Sequence, residues 1–230
     1  MRVVNLRKLM GVVVSTSLLF AVSACEDAKR YDQALVVLID VSGTYADQRK
    51  EVVRIIKSEV LPNLEPGDTL LILRIDGESY EKENVEVLVT LDPRPSRANA
   101  EKLGIAQRLD ELAERDVAAQ YTDIPGAMML GGEYLRELEV GSRVMLIFSD
   151  MEEDLPPGSQ RELRSDEFAA THLVAMNVKR LHADTLDPAA FRSRLADWES
   201  RVLASGALDW RTLMDPTKLG DYLASVRTGT

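Results

Sequence analysis

Asp40, Ser42 and Thr44 alternate at the end of Ala34–Thr44 (ALVVLIDVSGT), where a run of aliphatic residues breaks into one carboxylate and two hydroxyls. In an extended segment every second residue lies on the same side, so three oxygen-bearing side chains at this spacing can converge on one point. Gly43 permits the tight turn that gathers them. Ligation by carboxylate and hydroxyl oxygens, with no His or Cys nearby in the sequence, suits a hard cation such as magnesium, manganese or calcium rather than zinc.

The element that must position them is the run before the break. Leu35, Val36, Val37, Leu38 and Ile39 show no polar alternation, the pattern of a central strand covered by helices on both faces. In open α/β sheets ligands bind beyond the carboxyl ends of the strands, and that is where Asp40, Ser42 and Thr44 emerge.

Asp-x-Ser-Gly-Thr after a buried strand resembles the first motif of the metal-ion-dependent adhesion site of von Willebrand factor A (VWA) domains, whose usual form is Asp-x-Ser-x-Ser. Thr44 stands for the last serine; it keeps the hydroxyl and adds a methyl group. The resemblance implies two further pieces, a threonine on a later loop and an aspartate closing another strand. Thr122 in AQYTDIPGAMMLGG and Asp150 in RVMLIFSDMEED match them in the family's order. It also implies a three-layer, Rossmann-like α/β fold with a mostly parallel central sheet and one antiparallel edge strand. By the same resemblance the chain is a binding module, not an enzyme, with magnesium (or manganese or calcium) as cofactor. Ser42, Thr44 and Thr122 would supply direct oxygens, Asp40 and Asp150 would hold the ion chiefly through water, and a carboxylate from a protein partner would complete the octahedron.

Other duties compete for the same residues. Asp, Ser and Thr after a strand are ordinary helix N-caps, so Thr122 and Asp150 could each cap a helix, and Asp123 could cap the helix that Thr122 precedes. The run Glu152, Glu153 and Asp154 reads as a solvated loop or as a cation-attracting rim. A haloacid dehalogenase-like phosphatase also opens with a buried strand and a motif resembling Asp-x-Asp-x-Thr. In that reading Asp40 is the nucleophile and Asp150 and Asp154 are magnesium ligands, but Ser42 occupies the place of the second carboxylate, where a hydroxyl cannot trade protons near neutral pH.

Further elements follow from periodicity and punctuation. Val52, Val53, Ile56 and Val60 stripe one amphipathic helix over Ala46–Leu61. Thr69–Asp76 is a second buried strand, and Val85–Leu91 pairs with it as an edge hairpin. Ser96–Gln120 is helix-rich, with Leu103, Ile105, Leu109, Leu112 and Val117 on a loose apolar face. Ile124–Leu138 is a helix with Pro125 in its first turn. Arg143–Ser149 is a buried strand that delivers Asp150 to the same sheet edge as Asp40. Leu173–Val178 and Ala207–Leu213 are further strands. Between them a helix from Asp187-Pro188 to about Ala204 packs Phe191, Leu195, Trp198 and Leu203, and Pro216–Val226 is a last helix. Trp198, Trp210, Met128, Met129 and Met145 read as core. His172, at the start of a strand, and His182, in a loop, read as structural or surface residues.

The amino terminus carries a different message. Arg2, Arg7 and Lys8 precede an uncharged stretch, Leu9–Ala24, too short for a comfortable membrane span, so residues 1–24 read as an export signal. Val22-Ser23-Ala24-Cys25 resembles the bacterial lipobox, which makes Cys25 the lipidated first residue of the mature protein. Residues 25–33 then form a tether and 34–230 the VWA-like domain. Cys25 is the single cysteine, so no disulfide can form within the chain. The expected location is the cell envelope, membrane-anchored and facing the periplasm or exterior. Glu26, standing where aspartate marks inner-membrane retention in enteric bacteria, leaves the outer membrane open.

Removing the signal's three positive charges from a formal net charge of −10 leaves −13. So acidic a chain repels nucleic acid and anionic lipid headgroups, which leaves the lipid to do the anchoring and a protein as the expected partner. Cys25→Ser should therefore abolish incorporation of labelled fatty acid and release the chain from membranes; label on the variant would refute the assignment.

Overall fold

A computed structural model describes residues 30–43, 45–115 and 119–229, with Tyr31–Thr230 forming one compact unit. The signal segment 1–24, Cys25, Thr44 and Val117 lie outside the described residues.

The first strand, β1 (Gln33–Asp40), has no exposed position. Its period-two geometry divides the aliphatic run between two cores. Leu35, Val37 and Ile39 join one, and Ala34, Val36 and Leu38 join the other. Strands β2 (Thr69–Ile75), β3 (Val85–Thr90), β4 (Ser142–Phe148), β5 (Thr171–Met176) and β6 (Asp209–Leu213) complete a six-stranded sheet in the order β3-β2-β1-β4-β5-β6. Every pairing is parallel except β2 with β3, the antiparallel edge expected from the sequence.

Helices cover both faces. Helices α1 (Arg49–Ile55), α2 (Pro95–Glu114) and α6 (Leu219–Thr228) contribute Val52, Leu109 and Leu223 to one core. Helices α3 (Ile124–Glu137) and α5 (Pro188–Ala204) contribute Met128 and Trp198 to the other, and a short helix, α4 (His182–Leu186), precedes α5. Gly131 lets α3 lie close against the sheet, since a Cβ there would come within 2.9 Å of Val36 Cγ1.

Several sequence expectations need adjustment. The segment Ala46–Leu61 is not one regular helix. It opens as a 3-10 turn, Ala46–Gln48, and after α1 passes into a π turn, Ile56–Val60, and a 3-10 turn, Leu61–Asn63. Pro62 lacks the N–H that would continue the ladder and its ring crowds the preceding turn, so the winding changes there. Leu103 is 68% exposed because it stands about 200° around the helix from Ile105, which with Leu109 and Leu112 forms the buried face. Leu203 is 45% exposed for the same reason, and Val202 takes its place in the core. Met129 is only half-buried, whereas Met128, Met145, Trp198 and Trp210 are core as expected. His182 opens α4 instead of lying in a loop.

At the amino end of the sheet Asp68 has no exposed surface and gathers three elements. It accepts from the backbone N–H of Gln33 at 2.8 Å and of Glu65 at 2.7 Å, and from Arg227 Nη1 and Nη2 at 2.9 and 2.6 Å. Deleting one partner of such a buried pair leaves the other charge uncompensated. Asp68→Ala should thus lower unfolding free energy by about 3–5 kcal/mol, read as a shifted denaturation midpoint at unchanged slope. A loss below 1 kcal/mol would show that α6 is held by its apolar contacts alone.

Candidate metal centre

The chain reverses direction across the sheet between β1 and β4, since β1 leads outward to β2 and β3 and the chain then returns to β4 on the other side. Such a switch point opens a crevice at the carboxyl ends of the two strands. Asp40 ends β1, and Ser149 and Asp150 follow β4, so these residues face one another across that crevice.

Asp40 is wholly buried and anchors the loops around it. Its Oδ1 accepts from the Ser42 N–H at 2.8 Å, and its Oδ2 accepts from the Ser149 hydroxyl at 2.6 Å. The Ser149 Oγ accepts in turn from the Met151 N–H at 3.0 Å. Asp150, also buried, accepts the Glu152 N–H at 2.9 Å. Met151 between them adopts a left-handed backbone, φ 63°, and its carbonyl accepts the Trp198 indole N–H at 2.9 Å. The turn after β4 is thereby tied both to the turn after β1 and to α5.

The third loop is stitched to the other two by backbone pairing. Ala119 donates to the Val41 carbonyl at 3.1 Å, and its own carbonyl accepts the Gly43 N–H at 3.2 Å. Thr122 and Asp154 exchange both backbone hydrogen bonds, at 2.6 and 3.1 Å. Asp123 caps α3, accepting the Gly126 N–H at 2.8 Å, and a side chain at position 126 would collide with that carboxylate, since a Cβ would lie 2.2 Å from Asp123 Oδ2.

This geometry separates the competing duties. The cap belongs to Asp123, and the Thr122 hydroxyl makes no hydrogen bond to any described residue. Asp150 is not a helix cap, because among the described residues no helix begins between β4 and α4. Thr122 and Ser42 both line a cleft of about 520 Å³, together with Gly43, Ala119, Gln120, Glu152, Glu153 and Asp154. Glu153 is bound to Arg201 at 2.7 Å, while Glu152 and Asp154 stand exposed at the rim. Of the five residues expected at the site, Ser42 and Thr122 share the cleft, Asp40 and Asp150 lie at the ends of the adjacent strands β1 and β4, and Thr44 lies outside the described residues. His172 belongs elsewhere, paired with Asp209 across β5 and β6 at 2.9 Å, and has a structural role.

Ser149 was missed from the sequence. Its signal was its place between a strand and an aspartate, where a hydroxyl can reach the neighbouring strand end.

Burial is the main force on Asp40, lifting its pKa from the usual 3.8 to about 6 against the opposing hydrogen bonds from Ser149 and Ser42; the charge of Asp150 adds to the rise. The donor set is therefore the hydroxyl oxygens of Ser42 and Thr122 at the cleft, with two buried carboxylates, Asp40 and Asp150, at the neighbouring strand ends. It contains no imidazole or thiolate, and among the described residues no three His, Cys, Asp or Glu side chains gather to hold a metal ion, so a cation here would depend on hydroxyl oxygens and water. A hard divalent cation fits these residues.

No family model matches the chain, and no curated protein matches it in sequence. Among solved structures it is similar to the PilB minor pilin from Streptococcus sanguinis, at 8% identity and TM-score 0.52 over 87% of this chain and 61% of that one. A von Willebrand factor type A protein from Catenulispora acidiphila also matches, at 11% identity and TM-score 0.45 over 85% of this chain and 42% of that one. A third is the manganese-loaded Plasmodium vivax TRAP protein, at 14% identity and TM-score 0.40 over 54% of this chain and 48% of that one. The chain thus spans less than two thirds of each of these neighbours. The fold is VWA-like. Its crevice lies at the carboxyl end of β1, where the resemblance of Asp40-x-Ser42 to an adhesion-site motif leads one to look.

Because the folded VWA-like chain holds the Asp40 proton more tightly than the unfolded chain does, this residue's contribution to stability is largest below pH 3.8 and is lost as pH rises through about 6. A shift of that size amounts to roughly 3 kcal/mol. In chelator, Asp40→Asn should gain on the parent by up to that amount between pH 4 and pH 7 in paired denaturation curves. A pH-independent difference would show that Asp40 is not desolvated.

Proposed function

We propose that this chain is an exported, lipid-anchored binding module that holds a divalent cation, magnesium by preference, in the cleft between β1 and β4 and through it engages a carboxylate of another protein. One observation carries the reading. Ser42, whose amide is held by the buried Asp40, and Thr122, whose hydroxyl has no partner among the described residues, line one cleft beyond the carboxyl ends of β1 and β4.

In this reading Ser42 and Thr122, with Thr44, give oxygens to the ion, while Asp40 and Asp150 neutralise its charge from behind. Asp40 also orients the Ser42 amide, and Ser149 keeps the Asp40 carboxylate turned toward the crevice. The bound ion would offer an open position to an anionic oxygen of the partner. Glu152 and Asp154 at the rim favour a partner whose carboxylate is flanked by basic or apolar neighbours. Export and anchoring rest on the basic head, the short apolar stretch and Cys25.

The phosphatase reading is weakened by the same geometry. A nucleophilic carboxylate needs a free oxygen facing substrate, whereas both oxygens of Asp40 accept hydrogen bonds and neither is exposed. Ser42 moreover stands where an acid is required.

The full-length chain in detergent should melt several degrees higher in millimolar magnesium or manganese than in chelator, since a ligand of the folded state alone stabilises it. Ser42→Ala and Thr122→Ala should each abolish that increment while melting near the parent in chelator. Identical melting of the parent in both buffers would remove the cation reading. Magnesium-dependent hydrolysis of a generic phosphomonoester that disappears in Asp40→Asn would install the phosphatase in its place.

A further inference from the structure

β6 ends the sheet, so one of its edges has no neighbouring strand. Its start is set against β5 by Leu208, whose N–H donates to the Thr171 carbonyl at 2.9 Å. In a parallel ladder alternate residues turn their backbone groups toward the neighbour. Leu208, Trp210 and Thr212 therefore face β5, while Asp209 and Arg211 direct N–H and C=O out of the sheet. An edge of this kind is a template for another strand.

The side chains along it are already ordered. The Asp209 carboxylate lies 2.9 Å from His172 Nδ1 and accepts from the Tyr222 hydroxyl at 3.3 Å and from Arg211 Nε at 3.2 Å. The Arg211 guanidinium rests over the Tyr222 ring, 5.1 Å from its centroid, and its two terminal nitrogens make no hydrogen bond to any described residue. At the opposite edge of the sheet the one charged side chain of β3, Glu86, is bound to Arg74 at 2.7 Å and Arg115 at 2.9 Å. The β6 edge thus keeps donors that the β3 edge has spent.

We propose that β6 is the docking edge for a second copy of this chain, the two β6 strands pairing antiparallel about a two-fold axis at Trp210 so that the two sheets join. In this register Asp209 lies opposite the second copy's Arg211, and Arg211 opposite its Asp209. All four residues face the edge, so each opposed pair exchanges both backbone hydrogen bonds. Along and across the strands the four side chains alternate in sign. A slip of one residue would set edge-facing residues against residues turned to β5, and a slip of two would oppose Arg211 to Arg211 or Asp209 to Asp209, which like charges disfavour. The strand is self-complementary in one register only. Apolar surface waits on the other face of the same edge. Leu208 is 58% exposed there, and Leu203 is exposed near the end of α5, the helix packed on β6. Pairing sets Leu208 opposite the second copy's Thr212, itself exposed in the single chain. Backbone bonds and covered leucines supply the attraction, and the charges select the register. The inference does not depend on what the cleft binds.

The test uses the full-length chain in density-matched detergent. Sedimentation equilibrium should return about twice the monomer mass for the parent. Arg211→Glu should fall to the monomer mass, because all four opposed side chains then carry negative charge. A parent at the monomer mass overturns the inference, and so does a dimer that a folded Arg211→Glu leaves intact. The register has a readout of its own, which decides the matter should Arg211→Glu fail to fold. In a Cys25→Ser background, a Leu208→Cys chain mixed with a Thr212→Cys chain should form an intermolecular disulfide on mild oxidation, since opposed residues of this kind have Cα atoms about 4.5 Å apart. Thr212→Cys alone should not crosslink, because the matching position of the second copy is displaced by four residues, about 13 Å. No crosslink in the mixture, or an equal yield from Thr212→Cys alone, refutes the pairing.

Discussion

Asp40 stands at the end of a strand without one exposed residue, where its charge is stripped of water, faces a second buried carboxylate in Asp150, and is met only by hydrogen bonds. A buried carboxylate in that position must take up a proton, find a cation or gather enough donors to remain ionised. The donors come from two different crossover turns, the Ser42 amide after β1 and the Ser149 hydroxyl after β4. Satisfying Asp40 therefore orders both turns at once. Ser149 passes the constraint to Met151, Met151 passes it to Trp198 on α5, and the Thr122–Asp154 pairing closes the ring of loops.

That arrangement depends on a sheet thick enough to exclude water from its centre. β1 divides its side chains between two cores, and each core is sealed by its own set of helices. Close approach is part of the sealing. Gly131 brings α3 down onto Val36, so the helix that follows Thr122 is set by its packing on β1 as well as by its Asp123 cap. The same strand that desolvates Asp40 thus fixes how far Thr122 stands from it. Site geometry and core packing are one problem here.

Much of this was legible in the chain. An unbroken aliphatic run can only be a strand covered on both faces, and a carboxylate at its end has one place to go in an open α/β sheet. The antiparallel β3 was legible because Val85–Thr90 follows β2 through a short polar turn. What escaped was decided by angles and by contacts between distant segments. Leu103 and Leu203 look interchangeable with their neighbours in composition, yet rotation about the helix axis turns them to solvent. The change of winding after Ile55 depends on how Pro62 is accommodated about two turns later. Thr122 and Asp123 are adjacent, both plausible caps, and only the backbone pairing of Thr122 with Asp154 shows which one faces the cleft. Ser149 carries no motif; its role exists only because β4 lies beside β1.

A contrast between two buried aspartates shows how the fold keeps such a site. Asp68, at the amino end of the sheet, is matched by a bidentate arginine and two backbone amides, so its charge is answered within the chain. Asp40, at the carboxyl end, receives neutral donors only and no basic side chain, and Asp150 beside it adds repulsion. The same kind of residue thus fastens α6 at one end of the sheet and leaves an electrostatic deficit at the other. Complete neutralisation of Asp40 by an arginine would have made the fold stiffer and the crevice inert. The sheet, the two cores and the Asp68 clamp hold the strands that carry this deficit. In the proposed reading, that unneutralised carboxyl end of β1 is what a positively charged ligand would meet.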